Sequence, residues 1–351
     1  MALTNGFWRD RRVFLTGHTG FKGAWMLAVL RELGAQVTGY ALAPPTSPSM
    51  FELLGLADAC THVLGDIRDL PALESAMRDA DPEVVIHMAA QPLVRESYLT
   101  PVETYAVNVM GTVHVMDVCR RLHGVRAAVM VTTDKCYENV GWLWGYREND
   151  RLGGHDPYSN SKAAAELTVA AYRDSFFGDR GVHLASARAG NVIGGGDFAA
   201  DRLVPDAMRA FAAAAPLMIR NPLAVRPWQH VLEPVCGYLR LAERLFDDRR
   251  YAGAWNFGPA IEESVPVGDV ADTLAGQWGG GVNWKLDDGA HPHEAHTLKL
   301  DSSKARLELG WTPRLPLAQA LEWSVDWYRT HASDADLSEL TERQVMQFLS
   351  R

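Results

Sequence analysis

The chain predicts an α/β fold: a doubly wound parallel sheet with a smaller C-terminal lobe. Three observations carry that prediction. Apolar strand-like runs alternate with amphipathic helical stretches through the first half, the rhythm of βαβ units. A glycine triplet stands at the first strand-to-helix turn. Past Asn191 the rhythm gives way to loops and short strands broken by Pro205, Pro216, Pro222 and Pro227.

The first strand is expected at Arg12–Thr16, followed by strands at 36–42, Val84–His87 and 127–133. Their near-continuous apolar character suits strands covered on both faces. Amphipathic stretches at 21–33 and 102–122 supply the covering helices. A helix at 234–246 and a strand at 254–257 are expected to rejoin the sheet. An Asp-Ser-Ser-Lys helix start near Asp301 and a helix over 317–328 close the chain. Residues 1–190 are therefore assigned to a dinucleotide-binding core, rejoined by about 234–258. Residues 191–233 and 259–351 form the smaller lobe.

At 351 residues the chain is long enough for such an arrangement, and its 47% hydrophobic and 22% charged residues are ordinary for a globular protein. No apolar run reaches the roughly 18–20 residues that cross a bilayer, and no apolar core marks the amino terminus as a signal peptide. A net charge of -9 argues against nucleic acid as a partner. Cys60, Cys119, Cys136 and Cys236 are far apart and lack metal-ligand spacing, so they read as thiols of a reducing, cytoplasmic compartment. No metal site is expected.

Strand residues Val13, Phe14 and Leu15 run into a G-x-x-G-x-x-G turn made by Gly17, Gly20 and Gly23, with Phe21 opening a helix. Glycine permits the tight turn and lets backbone approach a pyrophosphate, which then meets the helix's positive end. The spacing points to a Rossmann-type dinucleotide site, a structural αβ turn being the competing reading. The ribose-binding acid expected about 20 residues later is missing, since Tyr40, Ala41 and Leu42 stand there. NAD and NADP therefore remain alternatives. Asp66, followed by Ile67, could accept a hydrogen bond from the adenine; a helix N-cap is the competing reading.

Asp156 and Pro157 begin a helix on which Tyr158 and Lys162, spaced i, i+4, share a face. A nearby ammonium is expected to lower the phenol's pKa and make Tyr158 a base. With the glycine turn, the His87–Met88–Ala89–Ala90 run and the segment from Asn108 to Thr112, this pattern resembles the extended short-chain dehydrogenase/reductases that act on nucleotide sugars. Matching segments extend from about residue 12 to about residue 330. The resemblance implies a Rossmann core with a C-terminal substrate lobe, cofactor contacts at Ala89, Ala90, Asn108, Tyr158 and Lys162, and a homodimer through a four-helix bundle, a tetramer being the alternative. Aliphatic stripes at 102–122 and 163–176 fit that seam.

After the fifth strand come Thr133, Asp134 and Lys135. This segment resembles the Thr-Asp-Glu of sugar-nucleotide 4,6-dehydratases. Lysine in the third place, with the runs 144–149, 188–197, 220–222 and 226–231, resembles the branch acting on CDP-glucose. The implied chemistry is oxidation at C4, loss of water across C5 and C6, and return of the hydride to C6. Tyr158 is then the base at the 4-hydroxyl with Thr133 sharing its hydrogen bond. Asp134 is the acid at the 6-hydroxyl, requiring a raised pKa, and Lys135 the base at C5, requiring a lowered one. A structural ion pair is the competing reading for Lys135.

An acidic protein must supply cations locally for a diphosphate, and Arg202 and Arg226 are the candidates. Asn191, Gln91, Ser97 and His293, the last with His291 nearby, complete the substrate set, a surface loop being the plain reading of the histidines. Cys136 reads as packing, and Trp142 and Trp144 as either site wall or core. A nucleotide-sugar 4-epimerase is the main alternative activity; a dinucleotide-binding scaffold without turnover would lack the tyrosine or lysine.

Overall fold

The computed structural model describes residues 3, 6–178, 181–289, 297–333 and 335–351. Along them run strands β1 (Arg12–Thr16), β2 (Gln36–Ala41), β3 (Thr61–Leu64), β4 (Val84–His87), β5 (Ala127–Val131) and β6 (His183–Ala189). Six more strands follow: β7 (Asn191–Ile193), β8 (Leu217–Ile219), β9 (Val225–His230), β10 (Gly253–Phe257), β11 (Ser264–Pro266) and β12 (Trp284–Leu286).

Seven of them form one sheet in the order β10-β6-β5-β4-β1-β2-β3, every pairing parallel. The order reverses between β1 and β4. In open α/β sheets ligands bind in the crevice beyond the strand ends at such a reversal. The expected strand near 254–257 does rejoin the sheet, as β10 beside β6. All residues of β4 and β5 are buried, because helices cover both faces.

Helix Phe21–Glu32 follows β1 and is buried without interruption from Gly23 to Leu30, so it lies between the sheet and further helices rather than at the surface. One of these is a C-terminal helix, Leu337–Leu349, for which no expectation was drawn from the sequence. Asp336 caps it, and Arg31 reaches Glu342 across the contact at 2.6 Å. Among the described residues the remaining strands form a β7-β9-β11 sheet and a β8-β12 pair.

The single helix expected over 102–122 is broken. Pro101–Tyr105 and Thr112–Cys119 are α-helical, and Ala106–Gly111 between them is a wider π-turn. The widening turns Asn108 inward, where its side chain bonds Gln91 and Ser161. Gly111 sits against Ile67 so closely that a Cβ would lie 2.3 Å from Ile67 Cδ1. Strand β5 also ends two residues early. Thr132 still donates its N–H to Ala187, but Thr133 turns away to cap the short turn Asp134–Cys136.

Candidate active site

The crevice is built on three connections that leave the carboxyl ends of β1, β4 and β5. At the first, Gly17 has φ 77°, and a Cβ there would lie 2.7 Å from the Ala89 nitrogen. A Cβ on Gly23 would meet the Gly17 carbonyl at 2.0 Å. The helix behind starts at Gly20 with no side-chain cap. Thr16 ties the two loops together, accepting from the N–H groups of Met88 and Ala89 at 3.1 and 3.2 Å and bonding His87 at 2.7 Å. A side-chain-free turn, an uncapped helix and a second loop held beside it are what a dinucleotide pyrophosphate requires, so the residues fit the expected cofactor.

Asp66, the expected adenine partner, is gripped by Arg68, whose hydrogen bonds hold its carboxyl below the usual range. The N-cap alternative falls to Asp69, which accepts from the Ala72 N–H. Asn108 is committed to Gln91 and Ser161, so its contribution is to hold the loop after β4 rather than to offer a free amide.

Asp156 caps helix Pro157–Phe176, accepting from the Ser159 N–H at 2.9 Å. The cap fixes where Tyr158 and Lys162 emerge. Both are buried. Lys162 Nζ reaches the Val131 carbonyl at 3.5 Å, and burial lowers its pKa to about 8, against the opposing pull of Glu166. The expectation that the lysine lowers the phenol does not hold in the protein by itself. Burial pushes Tyr158 up to about 12, and the hydrogen bond that favours its ionised form comes from Thr133. The physical reason is that removing the phenolate from water costs more than one hydroxyl returns.

Thr133 Oγ1 also lies in hydrogen-bond contact with Asp134 Oδ1, at 3.0 Å. Asp134 is 1% exposed, and its Oδ2 has no hydrogen-bond partner among the described residues. Burial raises its pKa, opposed by the charges of Lys135, Arg226 and Lys22 and by the Thr133 bond. The raised pKa expected of an acid is present. Lys135 lies half-buried in the same turn. Behind the turn, Glu166 accepts from Thr132, from Ser186 at 2.7 Å and from Arg188 at 2.6 Å. Arg188 goes on to Tyr137, which donates to Asn256 at 2.7 Å.

Of the substrate candidates, Arg202 and Arg226 both converge on this cluster. Arg202 acts electrostatically on Tyr158 and pairs with Asp197 at 2.8 Å; Arg226 lies within reach of Asp134. Asn191 opens β7, next to Gly190, where a Cβ would lie 3.1 Å from Asp134 Oδ2. Ser97 corrects its expected place at the sugar. Fully buried, it donates to the Val94 carbonyl at 2.6 Å and accepts from the Tyr158 N–H at 3.1 Å, so it positions the tyrosine's backbone. Gln91 likewise turns its amide onto Leu93 and Thr104. His291 and His293 lie outside the described residues. Trp142 stacks on Tyr146 and Tyr146 on Tyr137, a ladder running from the surface toward Arg188.

Two residues were missed. Lys22, in the glycine turn, faces Asp134, Asp197, Lys162 and Arg202, and burial lowers it to about 8. Its signal was there to read: a cation in the first turn of a helix that is apolar from Gly23 to Leu30. Tyr238 lies under Lys22, ring centroid 5.9 Å from Nζ, with its hydroxyl buried and unpartnered among the described residues. Nothing in its own segment marked it.

Residues 13–258 match the model of the NAD dependent epimerase/dehydratase family. The chain belongs to that family. Among its members, the CDP-glucose 4,6-dehydratase of Salmonella typhimurium is 49% identical over 99% of both chains. The dTDP-glucose 4,6-dehydratase of Streptomyces antibioticus is 30% identical over 77% of each. Among solved structures, the Thermus thermophilus UDP-glucose 4-epimerase complex with NAD superimposes with a TM-score of 0.78 at 25% identity, covering 91% of this chain and 99% of that one. The family's seven-stranded parallel sheet and NAD dependence agree with the glycine turn and the sheet order described above.

Proposed function

We propose that this protein is a nucleotide-sugar 4,6-dehydratase that converts CDP-glucose to CDP-4-keto-6-deoxyglucose. The observation that supports the reading most is the Thr133–Asp134–Lys135 turn beside Tyr158: a buried carboxyl whose pKa burial raises has no task in simple C4 epimerisation. The near full-length identity to the Salmonella enzyme supports the same reading and carries the choice of cytidine.

Gly17, Gly20, Phe21, Gly23, Asp66, Ile67, Ala89 and Ala90 would hold NAD, with Lys162 and Tyr158 at its reactive end. When bound, the cofactor supplies the acceptor for the C4 hydride and its donor at C6. Tyr158, its phenolate favoured by the Thr133 hydrogen bond against the cost of burial, takes the proton of the 4-hydroxyl. The resulting ketone acidifies the C5 hydrogen, which Lys135 removes. Asp134 gives its proton to the 6-hydroxyl, which leaves as water, and Lys135 returns a proton to C5. Arg202 and Arg226 pair with the diphosphate, between the large sheet and the β7-β9-β11 sheet. The exposed apolar side chains Leu99, Val102 and Leu167 suit a homodimer seam along the helices Pro101–Tyr105 and Pro157–Phe176.

The test is incubation of the NAD-loaded protein with CDP-, dTDP-, UDP- and GDP-glucose, products being resolved by mass. Loss of one water from the CDP sugar is the expected result. A C4 epimer of unchanged mass overturns the dehydratase reading in favour of an epimerase.

A further inference from the structure

Where a dinucleotide site usually carries an acid for the adenosine ribose, at the end of the second strand, this chain has Tyr40, Ala41 and Leu42. Two of their carbonyls are engaged by backbone. Tyr40 accepts from the Gly17 N–H and Ala41 from the Gly65 N–H, each at 2.9 Å. Leu42 differs. Its carbonyl accepts from the Thr19 hydroxyl at 2.9 Å, so a side chain of the glycine turn closes this corner onto the end of β2. His18, the other residue between Gly17 and Gly20, turns onto His62 instead, at 2.7 Å.

The Thr19 bond fixes the direction of a hydrogen. A carbonyl can only accept, so the hydroxyl hydrogen is committed to Leu42, and the Thr19 oxygen is left as an acceptor. The 2′-hydroxyl of NAD can donate to such an oxygen. The 2′-phosphate of NADP, as a dianion, has only acceptors and cannot.

A 2′-phosphate also calls for a cation, commonly an arginine, and the side chains of this corner do not supply one. Residues 40–47 contain no lysine or arginine. Arg68 is held by both oxygens of Asp66, at 3.0 and 2.9 Å, and by Glu103 at 2.5 Å. His18 is buried, and desolvation together with His62 lowers it to about 4, so its imidazole is neutral at pH 7.

We propose that Thr19, with the Leu42 carbonyl it holds, selects NAD over NADP: its oxygen accepts from the ribose 2′-hydroxyl in place of the missing carboxylate. Neither the sugar nor turnover enters this selection, so it stands or falls apart from the dehydratase reading.

The test is displacement of NADH from the loaded protein by NAD, NADP and 2′-deoxy-NAD, followed by the loss of bound-NADH fluorescence. Within one variant the affinity of NADH cancels from every ratio. The parent should hold NAD about 3- to 10-fold more tightly than 2′-deoxy-NAD, the worth of one hydrogen bond. It should hold NADP ~10²-fold more weakly than NAD, because a phosphate is left among acceptors without a cation. Thr19→Val removes the hydroxyl at nearly constant volume. It should bring NAD down to the level of 2′-deoxy-NAD and leave 2′-deoxy-NAD itself within about twofold of the parent. Thr19→Ser keeps the hydroxyl and should keep the parental ratio. Where valine lowers the melting temperature, Thr19→Ala should give the same loss of ratio. A parent that holds NADP as tightly as NAD overturns the assignment. So does a valine variant that keeps the parental ratio, or one in which NAD and 2′-deoxy-NAD weaken together.

Discussion

Glu166 and Asp134 are both buried beside the end of β5, at 3% and 1% exposure, yet their surroundings push them in opposite directions. Burial alone would raise both. Around Glu166 the Arg188 charge, with hydrogen bonds from Arg188, Thr132 and Ser186, outweighs it and holds the carboxyl below its usual range. Around Asp134, one hydroxyl and more distant cations do not, and it stays raised. A buried carboxylate whose oxygens are all engaged is a strut. One left with an empty oxygen facing a crevice is poised to exchange a proton.

The largest effect that can break this comparison lies in the reacting cluster. Tyr158→Phe should lower turnover ~10²–10⁴-fold while the fold and NAD binding survive, because only the phenol oxygen is lost. Retention of more than about a tenth of parental activity would contradict its role as base. Asp134→Asn with Lys135→Ala comes next. Dehydration should nearly stop, and the C5 hydrogen should cease to exchange with heavy water, since both groups that act on C5 and C6 are gone. Asp134→Asn by itself should leave the unfolding free energy from urea titration within about 1 kcal/mol of the parent, as it removes a poorly compensated group.

Glu166→Ala should do the reverse. It strands the Arg188 guanidinium in the core, which costs about 3–5 kcal/mol, read as a lower urea midpoint. A loss under about 1 kcal/mol would erase the distinction between strut and acid. Arg226→Ala is expected to raise KM for the nucleotide sugar about tenfold, through a diphosphate left partly unpaired in an acidic protein. An unchanged KM with reduced stability would make Arg226 another strut.

The smallest effect belongs to buried groups that carry no charge at all. Burial lowers His87 and His230 to about 3, from an ordinary 6.5. The unfolded chain therefore takes up protons first as pH falls. The stability these residues confer is nearly complete by pH 7.5 and declines toward pH 3, by about 1.4 kcal/mol for each at pH 5.5. Thermal melts at pH 7.5 and 5.5 should show the decline, and His230→Gln should lessen it.

Much of this protein is legible in its residues, for local reasons. Strand runs alternate with helices because parallel strands are covered on both faces. The glycine turn shows because only glycine tolerates φ 77° with Ala89 so close. Tyr158 and Lys162 pair because helical spacing is fixed at 3.6 residues. Asp134 and Lys135 stand in the same short segment as Thr133. Other features depend on elements that meet only after folding. Glu166 and Arg188 pair across a helix and β6, and Lys22 and Tyr238 reach Asp134 from two separate helices. The π-turn that commits Asn108, and the hydrogen bonds that remove Ser97 from the sugar, likewise arise from packing between segments. Composition and spacing determine which side chains share a face. Which buried polar atom gains a partner and which is left without one is decided by tertiary packing, because desolvation depends on everything that surrounds the group rather than on its neighbours in the chain.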